Sequence, residues 1–253
     1  MGDREWLICP RPNPRAGVRL LCLPYAGGGA AAFRTWAEEA PGELEVAAVQ
    51  LPGRERRWKE KPFTSLEALI PVLADALLPE LQPPFALLGH SVGALIGLEL
   101  ARELRRCGRP LPCHLFVLGR RAPQIPATAA PIHDLPDAEF IDSLRRMNGT
   151  PAEVLADEDL MRVFLPVLRA DFSLLETHRN IEQPPLPCPI SAFGGLGDGD
   201  VSREDLMAWR RQTTGRFFSR FYTGGHFFPH EHRSALLGAI RQDLVQSVRL
   251  QPA

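Results

Sequence analysis

Short unbroken apolar runs alternate along this chain with stretches in which apolar residues recur every third or fourth position. The runs at 18–23, 44–51, 85–88, 113–118, 189–193 and 216–222 predict strands. The stretches at 30–40, 65–81, 92–104, 203–213 and 232–250 predict helices. In 65–81 the apolar stripe is Leu66, Leu69, Ile70, Leu73, Leu77 and Leu81, with Thr64 or Ser65 as cap and Glu67 near the positive end. Pro41-Gly42 and Pro52-Gly53 stop the elements before them. Such alternation predicts an α/β fold, a mostly parallel central sheet flanked by helices. Between Gln124 and Pro189 the pattern changes. No strand is readable there, and proline-marked turns separate helical pieces at 137–147, 152–155 and 157–176. A helical lid at 124–189, inserted before the strand at Pro189, is the expectation, within a single domain over 1–253.

The strand at Phe85 runs into Gly89-His90-Ser91-Val92-Gly93 and then directly into a helix. Strand, G-x-S-x-G, helix is the context of a nucleophile elbow, in which the serine needs a strained backbone and neighbours without side chains. The bland alternative is a tight turn whose serine only caps the helix. A serine nucleophile needs a base, and the base needs an orienting acid. Asp198 and Asp200 follow the strand at 189–193, and His226 follows the last strand. All three therefore fall in strand-exit loops on one edge of a parallel sheet, in the order serine, acid, histidine. Gly224 and Gly225 free the backbone to aim His226, and Phe227 and Phe228 can exclude water, although a packed aromatic cluster would also look like this. Asp198 and Asp200 suit the acid equally, and the other is then free to cap the helix near Ser202. The oxyanion donors expected are the backbone N–H groups of Ala26, in the glycine-rich loop 24–29, and of Val92.

Composition adds limits. Of 253 residues, 45% are apolar and 23% charged, with a formal net charge of -1. That balance gives no argument for nucleic acid or an anionic membrane as partner. No apolar run approaches the length of a membrane span, and the first residues do not read as a signal peptide. Cys9, Cys22, Cys107, Cys113 and Cys188 show neither metal spacing nor a disulfide framework. The expectation is a cytoplasmic monomer without metal or cofactor of its own. His114, His133 and His178 are expected to be structural.

The ordered set Pro24-Tyr-Ala-Gly-Gly28, Leu51-Pro-Gly-Arg54, Gly89-His-Ser-Val-Gly-Ala94, Gly119-Arg-Arg-Ala-Pro123 and Gly224-Gly-His-Phe227 resembles the type II thioesterases. Leu135-Pro-Asp137, Asn148-Gly-Thr-Pro151 and the segment from Leu165 to Phe172 agree, so the resemblance covers nearly the whole chain. These are stand-alone α/β-hydrolases that accompany polyketide and nonribosomal peptide synthases. The resemblance implies an editing hydrolase that removes acyl groups from the phosphopantetheine arm of acyl or peptidyl carrier proteins. It matches Ser91 to the nucleophile, His226 to the base, and Ala26 and Val92 to the oxyanion positions. Its acid stretch lies over 192–202 without a gap and favours Asp198, while Gly199 and the extra acid at Asp200 depart from the pattern and keep Asp200 as an alternative. Arg54, Arg56, Arg57, Arg120 and Arg121, in strand-exit loops, form the expected rim for the carrier or the pantetheine phosphate. Two other functions stay open: a general carboxylesterase acting on small free esters or thioesters, and a non-catalytic binding protein of the same fold.

Overall fold

The structure is a computed structural model and describes residues 6–82, 84–127, 129–147 and 157–248. Its centre is a sheet of seven strands in the order β1-β3-β2-β4-β5-β6-β7. These are β1 (Leu7–Ile8), β2 (Val18–Leu23), β3 (Leu44–Val49), β4 (Phe85–His90), β5 (Leu115–Leu118), β6 (Ile190–Gly195) and β7 (Phe217–Tyr222). Every pairing is parallel except that of β1 with β3. β1 escaped the apolar pattern because two residues carry no periodicity; only its pairing with Val49 and Ala48 makes it a strand.

Helices cover both faces, so β2, β3, β4 and β5 are buried almost throughout. On one face α2 (Leu66–Leu77) and α3 (Val92–Arg106) pack with Leu21, Leu23, Leu87 and Val117. On the other, α1 (Arg34–Glu39) and the C-terminal helix close over Leu20, Cys22, Leu88 and Phe116. The expected stripe of 65–81 is real, with Ser65 as its cap, but the regular helix ends at Leu77 and a 3-10 turn continues to Glu80. The stretch 30–40 likewise splits into a 3-10 turn, Ala30–Phe33, and α1.

Between β5 and β6 the chain forms α4 (Asp137–Met147) and α5 (Glu158–Glu176), as the pattern requires; the piece expected at 152–155 lies outside the described residues. Ile132, Phe140, Leu144, Met161 and Leu168 give this inserted region a small core of its own. Beyond β6, Ser202 caps α6 (Arg203–Met207) in a reciprocal capping box with Asp205. Neither Asp198 nor Asp200 is that cap. After β7, a short α7 (Phe228–Glu231) precedes α8 (Arg233–Ser247). His114 is fully buried, with its ring nitrogens at 2.8 Å from Ser191 Oγ and 2.9 Å from Ser247 Oγ, a structural histidine.

The crossing of β2, β4 and α3 is close enough to exclude side chains. A Cβ on Gly89 would lie 2.2 Å from the Gly93 carbonyl oxygen, and one on Gly93 would lie 2.2 Å from that of Leu23. Gly42 has no atom within 4 Å of the equivalent point. Gly89→Ala and Gly93→Ala should each cost about 2–3 kcal/mol or more, read from urea midpoints. Gly42→Ala should stay within about 0.5 kcal/mol of wild type.

Candidate active site

Ser91 lies between β4 and α3 with φ 56° and ψ -117°, the left-handed half of the map, which costs a non-glycine residue about 1–3 kcal/mol. Its N–H donates to the Leu118 carbonyl at 2.9 Å, which fixes the elbow against the end of β5. The turn presents Ser91 to a cavity of about 960 Å³ that His226, Tyr25, Ala26 and Gly119 also line.

His226 sits in the turn between β7 and α7, where Gly224 takes φ 99°. Its Nδ1 is 2.9 Å from Asp198 Oδ2, and the Asp198 side chain is 1% exposed. A carboxylate only accepts, so Nδ1 carries the proton and Nε2 is left as the basic nitrogen. Asp198 Oδ1 accepts the Asp200 N–H at 2.9 Å. The Leu196 and Gly197 N–H groups donate to Tyr222 and Gly224, both at 2.8 Å, so the loop after β6 is tied to the histidine turn. Of the two aspartates that the residues alone left open, Asp198 is the one bonded to His226. Asp200 is exposed and contributes its backbone: one N–H to Asp198, and a carbonyl that accepts from Arg121 at 2.6 Å.

His90 is a member of the site that pattern reading left unused. It is buried, and its Nε2–H donates to the His226 carbonyl at 3.0 Å. Burial, then the neighbouring His226, push its pKa well below the ordinary histidine range, which keeps the ring neutral. Tyr25 and Phe227 pack edge-on around it, with ring centroids 5.3 and 5.5 Å away.

The loop after β2 is held from outside. Gly27, at φ 77°, donates its N–H to Asp171 Oδ2 at 2.7 Å. Arg54 grips the same carboxylate through Nη1 at 2.9 Å and Nη2 at 2.8 Å, and Nη1 also donates to the Gly28 carbonyl at 2.9 Å. The two side chains are 6% and 1% exposed. This clamp sets the backbone that immediately follows Ala26. Val92 opens α3, so its N–H has no acceptor within the helix. Val92 follows Ser91 directly and Ala26 lines the same cavity as Ser91; these are the two residues from which the resemblance expects the oxyanion donors.

The expected arginine rim needs correcting. Arg54 is buried on Asp171. Arg57 is also buried, bonded to Glu60 and the Gln50 carbonyl, with its guanidinium 3.9 Å over the Trp6 ring. Gly53 and Glu55, both at positive φ, turn the loop so that these two arginines point inward. Arg56 is exposed, and Arg120 and Arg121 line the cavity wall. His133 binds Glu176 within the inserted region and stands outside the site. Among the described residues no group of three His, Cys, Asp or Glu side chains could hold a metal ion.

Comparison with known proteins agrees with this geometry. The sequence profile of the thioesterase domain matches residues 18–244. The chain belongs to the thioesterase family. Gramicidin S biosynthesis protein GrsT of Aneurinibacillus migulanus is 46% identical to this thioesterase over 233 residues, 92% of this chain and 91% of GrsT. LgrE of Brevibacillus parabrevis, which is named a linear gramicidin dehydrogenase, is 43% identical over 95% of this chain and 92% of its own length. The groups assembled here, a strained serine and a paired histidine and aspartate, are those of a hydrolase. The type II thioesterase BorB from the borrelidin biosynthetic cluster superposes with a TM-score of 0.86 at 38% identity, covering 96% of this chain and 98% of BorB. This thioesterase is accordingly of type II, with the α/β-hydrolase fold.

Asp198→Asn should lower kcat by on the order of 10³–10⁴, because the imidazole loses the acceptor that sets its tautomer. Asp200→Asn should stay within about tenfold of wild type, since only its backbone is used. Equal or reversed losses in hydrolysis assays would reassign the acid. Asp171→Ala should cost about 3–5 kcal/mol in denaturant melts by stranding Arg54, and Arg54→Met/Asp171→Leu should recover much of that loss.

Proposed function

We propose that this thioesterase hydrolyses acyl thioesters on the phosphopantetheine arm of carrier proteins, with Ser91 as nucleophile, His226 as base and Asp198 as its orienting acid. One observation carries the assignment. His226, bonded to Asp198, and the strained Ser91 line one cavity. Ser91 Oγ attacks the thioester carbonyl while its proton passes to His226 Nε2. The carbonyl oxygen takes the developing charge between the Ala26 and Val92 N–H groups. The C–S bond breaks, and the thiolate leaves as a thiol with the proton from His226. Water then attacks the acyl-serine ester and gives a proton to His226, which returns it to Ser91 Oγ as the free acid departs.

The inserted segment 124–189 serves as the lid. Leu144, Met147, Leu168 and Phe172 from α4 and α5 supply apolar cavity wall for the acyl chain. The names of the relatives place them in antibiotic biosynthesis, which supports carrier domains of a synthase as partner. Of the rim arginines, Arg56 keeps the exposure that docking to an acidic carrier surface needs.

Acyl-carrier protein should be turned over faster than small esters of the same acyl group. Ser91→Ala should lower that rate by on the order of 10⁵ or more. A small ester preferred over the carrier would favour a general carboxylesterase, and an undiminished rate in Ser91→Ala would remove the serine mechanism. Arg56→Glu should raise KM for the carrier, and an unchanged kcat/KM would take Arg56 out of the docking surface.

A further inference from the structure

The cavity wall carries a cation that the proposed mechanism does not use. Arg120 follows Gly119 in the turn after β5, and its carbonyl accepts a 2.7 Å hydrogen bond from the buried Trp209 indole. Arg120 lines the cavity that Ser91 and His226 share. Among the described residues, no side chain or carbonyl accepts a hydrogen bond from its guanidinium, and no carboxylate pairs with it. Its neighbour Arg121 is held only by carbonyls, those of Pro126 at 3.0 Å and Asp200 at 2.6 Å, so its charge adds to the excess. Desolvation draws Arg120 down to about 10, and repulsion from Arg121 acts the same way.

His178 lines the same cavity. Neither of its buried ring nitrogens has a hydrogen-bond partner, and Nε2 stands 3.5 Å from Glu99 Oε1. Burial lowers its pKa, Glu99 and Glu67 oppose that shift, and Arg102 and Arg120 add to it; the neutral ring donates one N–H. The contrast with Arg54 is chemical. Arg54 is matched fork to fork by Asp171, whereas Arg120, half-buried at the cavity, has no carboxylate paired with it among the described residues. A guanidinium in that state is complementary to a planar oxyanion supplied by a ligand.

We propose that Arg120, with His178 as a further donor, forms an anion subsite in the acyl chamber that selects acyl thioesters bearing a carboxylate on the acyl group. The proposal rests on the thioesterase reading of Ser91. The phosphate of the arm is an oxyanion of similar chemistry. Position favours the acyl carboxylate. Gly119, one residue before Arg120, approaches the base so closely that a Cβ there would lie 3.5 Å from His226 Cε1. Arg120 therefore leaves the backbone one residue from the closest approach to the base, while the phosphate lies at the far end of the arm.

The test compares glutaryl with valeryl thioesters, the first with a terminal carboxylate and the second without. Both are presented on carrier protein and on N-acetylcysteamine, which lacks the phosphate. Wild type should favour glutaryl, and Arg120→Met should reduce the glutaryl-to-valeryl ratio of kcat/KM by about 10–100-fold on both supports. Arg120→Lys should keep part of the preference. A ratio unchanged by Arg120→Met would overturn the subsite, and so would a loss seen only on the carrier, which would give Arg120 to the phosphate. Calorimetry with free glutarate separates this from the thioesterase reading. Glutarate should bind wild type and not Arg120→Met even if no thioester is hydrolysed, and equal binding to both would refute the subsite by itself.

Discussion

A single buried ion pair holds the working edge of this molecule together. Arg54 leaves the loop after β3, Asp171 comes from α5 of the inserted region, and between them they hold Gly27 and Gly28 of the loop after β2. Three segments remote in sequence meet in one bidentate contact. Asp171 takes a backbone N–H as well as the guanidinium, and Arg54 gives to a carbonyl as well as the carboxylate. Such full satisfaction is what makes a buried pair tolerable, because either charge alone would carry its whole desolvation cost. The consequence for chemistry is indirect. The position of the Ala26 N–H, and the seating of the inserted helices over the serine, depend on the same contact.

Strain at Ser91 is supported by a second set of constraints. The elbow can hold a positive φ because β2, β4 and α3 approach so closely there that only glycine fits on either side. The histidine turn is fixed independently. Its ring is bonded to Asp198, its carbonyl to His90, and its backbone to the loop after β6. Ser91 and His226 thus rest on separate supports that share the rigid parallel sheet, which is how a site keeps its geometry. On the cavity wall, by contrast, both buried ring nitrogens of His178 lack a hydrogen-bond partner, and Arg120 lines the same cavity.

Much of the fold was legible because local pattern and tertiary demand agreed. Runs such as 18–23 and 85–88 are buried on both faces of a parallel sheet, so they read as continuous apolar stretches. The elbow was legible because its glycines are forced by a backbone crossing that any such turn must make. Failures came where the deciding contact was distant. β1 is a strand only through β3. The splitting of 30–40 and 203–213 into helix and 3-10 turn is set by packing, to which apolar spacing is blind. Arg54 and Arg57 looked like solvated loop residues because a charged run carries no sign of which way each side chain turns.

What the chain determined by itself was therefore the order of elements, the serine turn, and the placing of serine, acid and histidine at the ends of parallel strands. These follow from short-range sterics and from the rule that parallel strands deliver their exits to one edge. The tertiary structure set Asp198, and not Asp200 two residues on in the same loop, within hydrogen-bond reach of His226. It also paired Arg54 with Asp171, set His90 against the His226 carbonyl and, among the described residues, paired no carboxylate with Arg120. Each of these depends on whether a particular donor finds a particular acceptor in a dry interior. That is settled by distances of a few tenths of an ångström between segments far apart in the chain, a quantity that apolar periodicity does not encode.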